Sequence, residues 1–222
     1  MNKRPGIIAS VLSIIFMAAV AAWAWGQIPA GRQIAIHWDA AGNPNGYASK
    51  PVALLLIPAL SLVIAVLLAV VPQLEPRRLN LARSAKPYMV GWIGSMVVLA
   101  VAQLLIVLAA VGHPANSVLI ASLAVGALLV VVGNYLGKAR SNFFFGIRTP
   151  WTLSSDLSWD KTHRLAGRIF VAVGIAMVIA GLTRSATVFL VVFAILLALI
   201  VWVTVYSYLV WRGDPLKHPV GR

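Results

Sequence analysis

The 222-residue chain is 61% hydrophobic and only 10% charged, carries a formal net charge of +13, and contains no cysteine. Long uncharged runs at this length exclude a soluble globular enzyme or a nucleic-acid-binding domain and define an integral membrane protein. The basic excess is explained by membrane topology and anionic lipid headgroups, and the lack of cysteine removes disulfides, thiolate catalysis and cysteine metal sites.

Gly6 to Trp25 is uncharged and long enough to cross a bilayer, which takes about twenty apolar residues. It exceeds a signal-peptide core of about 7–15 residues, and Trp23 and Trp25 mark an interfacial anchor, so it is kept as the first span. Gln27 to Lys50 is a polar excursion. Alternation over Gln33 to Trp38 predicts a short strand, and Gly42, Pro44 and Gly46, interleaved with Asn43 and Asn45, predict consecutive turns.

The second span is expected over Pro51 to Val71, with Pro58 kinking it. A basic loop, Pro72 to Lys86, carries Arg77, Arg78, Arg83 and Lys86. Span three runs from Pro87 to Val111, where Gly91, Gly94 and Ser95 offer a close-packing face. After a turn at Gly112 to Asn116, span four covers Ser117 to Leu136 and leads into Gly133-Asn-Tyr-Leu-Gly137, a spacing that lets helices approach closely.

Asn142 to Arg168 is the most information-dense stretch, holding two of the five acidic residues between apolar runs. Gly146 and Pro150 break any helix, and Thr149 is pushed towards an extended conformation. Ser154 or Ser155 caps the next helix with Asp156 in its first turn. That helix places Trp159, His163 and Ala166 on one face and Asp160 at ion-pair spacing from Arg164. Spans five (Leu165 to Leu182) and six (Thr187 to Val210) follow.

The fold class is therefore all-α integral membrane, with six transmembrane helices and a short extracellular β-like excursion between the first two. Three segments are expected: 1–72, with the outer loop 27–50; 73–136; and 137–222. Of the 18 lysines and arginines, fifteen fall on the side of the termini, the 72–86 loop and the 137–168 loop, and three (Arg32, Lys50, Arg184) on the other. That bias predicts a multi-pass protein of the plasma membrane with both termini cytoplasmic.

Chemistry is sparse. No charged residue is expected in the membrane interior, where Gln103 and Asn134 are the main polar groups and are read as interhelical hydrogen-bonders. Asp156, Asp160 and His163 can be written as an acid–base pair or a metal site, but two carboxylates beside Lys161 and Arg164 are more simply structural ion pairs. Arg148 suits a phosphate or an acidic partner, or else a lipid headgroup or a helix carboxy-terminal cap, while Trp151 and Trp159 suit the interfacial belt. A single histidine, His37, beside Trp38 with no acidic cluster suits packing or recognition more than metal ligation.

The run Asn142 to Thr152 followed by Trp159-x-x-x-His163-Arg164 resembles the signature of the SdpI family. Upstream, Pro29, His37, Trp38, Gly42, Gly46 and Lys50 match a membrane module of unknown function often found ahead of it, with Asn45 where aspartate is common. The resemblance implies a protein that gives immunity to, or senses, a secreted membrane-active toxic peptide, and that in the founding member holds a cytoplasmic repressor at the membrane. It implies no catalytic residue, metal, cofactor or direct nucleic-acid contact. Asn142, Gly146, Arg148, Thr149, Pro150, Trp151, Trp159, His163 and Arg164 become the signature and partner-binding set. His37, Trp38, Gly42, Gly46, Tyr47 and Lys50 become the extracellular recognition set, with a strand edge able to take up a peptide. Alanine at Arg148 or Trp159 is expected to remove protection without loss of protein. The alternatives are a transporter or exporter of a small or lipidic solute and, less favoured, a membrane-embedded enzyme.

Overall fold

The computed structural model describes residues 1–218; Arg222, counted among the basic residues above, lies outside that range. The elements run α1 (Arg4–Trp25), β1 (Gln33–Trp38), β2 (Pro44–Ser49), α2 (Lys50–Leu74), α3 (Arg78–Arg83), α4 (Ala85–Ala110), α5 (Ser117–Leu136), α6 (Pro150–Leu153), α7 (Asp156–Thr183) and α8 (Ala186–Arg212). Six of the helices, α1, α2, α4, α5, α7 and α8, are long and apolar enough to span a membrane. All six expected spans are present, and α2 continues through both Pro58 and Pro72.

The helices form two groups joined through α4 and α5. In the first, α1 packs on α4 and α2, and the hairpin sits over their ends. Buried hydrogen bonds tie this group together where apolar packing alone gives little direction in lipid. The Trp92 indole donates to Ser10 Oγ at 2.8 Å and Gln103 Nε2 donates to the Leu54 carbonyl at 3.2 Å. Gln103 thus bridges helices as expected, although its Oε1 is buried without a partner among the described residues. Asn134 does not bridge: it lies on the exposed side of α5, because the opposite side of that helix is taken up by small residues.

The second group is α5, α7 and α8, in which α5 against α7 is the most extensive helix pair of the protein. Glycines make this possible. A Cβ on Gly133 would lie 2.7 Å from the Gly167 carbonyl oxygen, and one on Gly126 would lie 2.7 Å from that of Gly174. Such contacts admit no side chain, so the two backbones run side by side. The Gly133–Gly137 spacing at the end of α5 is visible in the sequence, whereas the partners on α7 emerge only in the fold. Helix α8 is the outermost, with only Val203 and Ser207 fully buried.

The excursion after α1 is a two-stranded antiparallel sheet with Gln33 opposite Ser49 and His37 opposite Gly46. The expected strand over Gln33–Trp38 is present, but the expected run of turns is not: one turn at Asp39–Asn43 suffices, and Pro44–Ser49 is a strand. Asp39 explains the difference, since its carboxylate accepts the N–H groups of Ala41 and Asn43, both at 2.9 Å, and closes the turn early. Pro44 is tolerated as the first residue of its strand. Ile34 is buried, and Ile36, Trp38 and Ala48 are partly so, against Ala21, Ala53, Leu54 and Ile106, so the hairpin is seated on the bundle.

Candidate functional site

The segment from Gly137 to Ser155 folds back over the bundle at the end that carries both termini, and almost every polar group in it has a partner. Asn142 is fully buried. Its Oδ1 accepts the N–H groups of Phe144 and Phe145 at 3.0 and 2.7 Å while its Nδ2 donates to the Arg140 carbonyl, which forces the chain into a tight bend. Gly146 follows with φ +102°. A Cβ there would fall on the imidazole of His163, so this position requires glycine twice over, for its backbone and for its space.

His163 organises the loop from below. Its Nε2 accepts the Ile147 N–H at 2.9 Å and its Nδ1 donates to the Trp159 carbonyl at 2.8 Å, which fixes the tautomer. The Trp159 ring stacks on it with centroids 4.0 Å apart, and the Trp159 indole N–H donates to the Ala139 carbonyl at 2.8 Å. Trp159 is 1% exposed. It is a core residue and not an interfacial belt residue, because α7 turns its Trp159, His163 and Ala166 face inward under the loop.

Thr149 has the extended backbone expected before Pro150, and it forms a capping box with Thr152 at the start of α6. Its hydroxyl lies 3.2 Å from that of Ser207, so α6 is fastened to α8. Trp151 meets Tyr208 edge to face at 5.3 Å, half-buried. Ser155, not Ser154, caps α7 by accepting the Ser158 N–H. Arg148 and Arg164 are exposed, with the Arg148 guanidinium donating to the Phe143 carbonyl at 2.8 Å.

Two expectations about charge change. Asp160 does not pair with Arg164; it faces Arg140 at 4.0 Å, an exposed contact of little energetic consequence. Asp156 is exposed, Asp160 points to Arg140 and His163 is buried, so the three do not converge. Among the described residues, no cluster of three or more histidine, aspartate or glutamate side chains is placed to hold a metal.

Several residues that anchor this site went unread in the sequence. Glu75 is fully buried at the end of α2 and accepts the N–H groups of Arg77 and Phe143, each at 2.9 Å. Arg77 reaches back to Ser141 and to the Leu153 carbonyl, and lies over the Phe143 ring at 4.8 Å. Asn80 holds the Ser141 carbonyl, and Ser84 Oγ accepts the Arg140 N–H. The available signal was Glu75 itself, the single acid in a loop of four basic residues.

The tail closes the site from the other side. Ser155 Oγ donates to Asp214 at 2.6 Å, and the His218 N–H donates to the Ser154 carbonyl at 2.9 Å. Between loop and tail lies a polar hollow of about 690 Å³ lined by Arg77, Asn80, Ser154, Asp156, Asp214 and His218. The Ser155 hydroxyl holds the Asp214 carboxyl below its usual range, helped by the Leu216 N–H. A carboxyl lowered in the folded state stabilises it above the ordinary carboxylate range and loses that contribution as pH falls through the folded value. We expect the tail to become protease-sensitive in detergent as pH drops below about 4, the ordinary aspartate value. Asp214→Asn should be equally sensitive at all pH values, as followed by limited proteolysis across a pH series.

At the opposite end, the second set of expected residues lies on and around the hairpin. His37 is exposed with Nδ1 2.5 Å from Asn45 Oδ1, and Gly46 sits against it where a Cβ would come within 2.9 Å of the His37 Cβ. Gly42 has φ +86° and Tyr47 is 58% exposed. Trp38 is partly buried, and Lys50 is tied down, donating to the Ile28 carbonyl at 2.8 Å and lying over the Trp25 ring.

Six apolar spanning helices, a seated hairpin at one end and a braced, arginine-bearing loop at the other define a multi-pass membrane protein with two elaborated ends. Residues 138–207 match the SdpI/YfhL protein family, and residues 12–62 match a domain of unknown function, DUF1648. The chain is thus similar to the SdpI/YfhL family over its carboxy-terminal third. It is 28% identical over 180 residues to the Immunity protein SdpI of Bacillus subtilis (strain 168), covering 79% of this chain and 82% of that protein. No solved structure matches it.

Proposed function

We propose that this chain is an immunity protein that protects the cell carrying it against a secreted, membrane-active peptide. The observation that carries the reading is the similarity to the Immunity protein SdpI over 79% of this chain, beside the DUF1648 match over the hairpin module and the SdpI/YfhL match over the loop module. The protein sits in the plasma membrane with the hairpin outside and the 142–168 loop inside, a placement supported by the basic residues gathered at the loop end. The hairpin meets the peptide through exposed His37, Asn45 and Tyr47 and through the open edges of its two strands. The hollow between loop and tail, rimmed by Arg77 and Asp214, receives a cytoplasmic partner such as a repressor.

The transporter reading has less support, because Asn134 lies on the outer surface of α5 and Gln103 is enclosed between helices. The test is expression in peptide-sensitive cells. Survival should rise, and Arg148→Ala should reduce protection with an unchanged protein level, since Arg148 is exposed. Unaltered killing despite verified membrane expression overturns the reading. With no native cysteine to remove, single cysteines at Asn45 and Lys161 report orientation: an impermeant maleimide should label the first from outside and not the second.

A further inference from the structure

Between the hairpin and the helices lies a cleft of about 510 Å³ with a polar rim and an apolar body. The polar side chains of the rim are Asp39, Ser117 and His37, the last already engaged with Asn45. The body is formed by Ile57, Leu105, Ile106 and Phe193 and by Ala121 along α5. Lining residues on α4 reach back from its end at Ala110 as far as Ala102, a depth of about 12 Å at 1.5 Å per residue. The cleft therefore runs along the helices from headgroup level into the hydrocarbon.

Three observations identify its occupant. First, Asp39 is the single acidic side chain at this end among the described residues, and its carboxyl is held below the usual range chiefly by the Asn43 N–H, so it is ionised. Oδ1 is spent on the turn, whereas Oδ2 has only a long 3.4 Å contact from the Asn43 amide. Second, Ser117 is 8% exposed, makes no side-chain hydrogen bond among the described residues, and directs its Oγ towards the hairpin turn, 4.0 Å from where a Cβ on Gly42 would be. It stands at the first turn of the 20-residue helix α5, whose amino end favours an anion. Third, below the rim the cleft is lined only by aliphatic and aromatic side chains from α2, α4, α5 and α8, a trough that suits a hydrocarbon chain and offers no polar partner to a peptide backbone.

A carboxylate, a free hydroxyl at a helix amino terminus and an apolar trough in that order are the complement of an ammonium, a phosphate and an acyl chain. We infer that the cleft is a binding site for one phospholipid with a primary-amine headgroup, its ammonium on Asp39, its phosphate at Ser117 and one acyl chain in the trough. The site is independent of the immunity reading.

The test is native mass spectrometry of the full-length protein, delipidated in detergent and titrated separately with palmitoyl-oleoyl phosphatidylethanolamine, phosphatidylcholine and phosphatidylglycerol. Phosphatidylethanolamine should be retained about tenfold more tightly than the other two, as expected for one charge-assisted contact in a partly desolvated site. Asp39→Asn keeps the turn acceptor and should abolish the preference. Ala121→Trp, at an exposed position facing the trough, should abolish retention while the protein remains monodisperse. Equal retention of all three lipids, or a preference that survives Asp39→Asn, overturns the proposal. So does an Ala121→Trp protein that retains phosphatidylethanolamine but loses protection in the killing assay, which would give the cleft to the peptide.

Discussion

Trp159→Ala is expected to abolish well-folded protein, not merely the protection proposed for it. The indole is 1% exposed, stacks on His163 and donates to the Ala139 carbonyl. Removing it opens a cavity directly beneath the loop, at a cost of about 3–5 kcal/mol for a buried tryptophan. It also strands the carbonyl of Ala139 and leaves the imidazole that holds Ile147 without its stacking partner. Trp159→Phe keeps an aromatic face for His163 but loses the indole N–H and part of the buried volume, a smaller penalty of about 1–3 kcal/mol. Thermal unfolding in detergent, followed by fluorescence size exclusion, should rank wild type, Phe and Ala in that order. An alanine variant with wild-type stability would show that the loop stands without this ring. The outcome bears on the expectation from sequence that alanine at either Arg148 or Trp159 spares the protein, since Arg148 is exposed and Trp159 is buried.

Gly167→Leu is the second severe change. The Cβ of any residue at 167 lies 2.7 Å from the Gly133 carbonyl oxygen, which is backbone and cannot rotate aside. Accommodation requires α5 and α7 to separate along their whole seam, at the upper end of the roughly 1–3 kcal/mol typical of overpacking. The effect spreads further here because the seam also carries Gly126 against Gly174 and Gly137 against Arg164. Gly26→Leu, where nothing lies within 4 Å, is the matched control and should leave the melting temperature unchanged. Comparable melting temperatures for the two variants would mean that the seam is looser than its geometry implies.

The six spans were legible because bilayer thickness imposes a length and an apolar composition that a sequence cannot hide. The Gln33–Trp38 strand was legible from alternation, and the break at Gly146 and Pro150 from backbone chemistry. The second strand was masked because Pro44, Asn45 and Gly46 are turn formers individually, and only the Asp39 turn and the pairing with β1 make them a strand. Trp159 was misplaced because tryptophan in a membrane protein usually marks the interface, and no local signal reveals that a loop will cover it. Glu75 was passed over because its partners, Arg77 and Phe143, include one 68 residues away. The α7 glycines, at 167, 174 and 181, were visible as a seven-residue spacing, but their counterparts on α5 could be matched to them only in three dimensions.

The glycine seam also sets how this molecule deforms. Backbones in direct contact have no rotamers to exchange, so α5 and α7 move as one stiff plank with the braced loop riding on its end. The cleft under the hairpin lies between the two helix groups, with α2 and α4 on one wall and α5 and α8 on the other. A chain seated there as inferred above would touch both groups at once, mortar between a rigid plank and its neighbours.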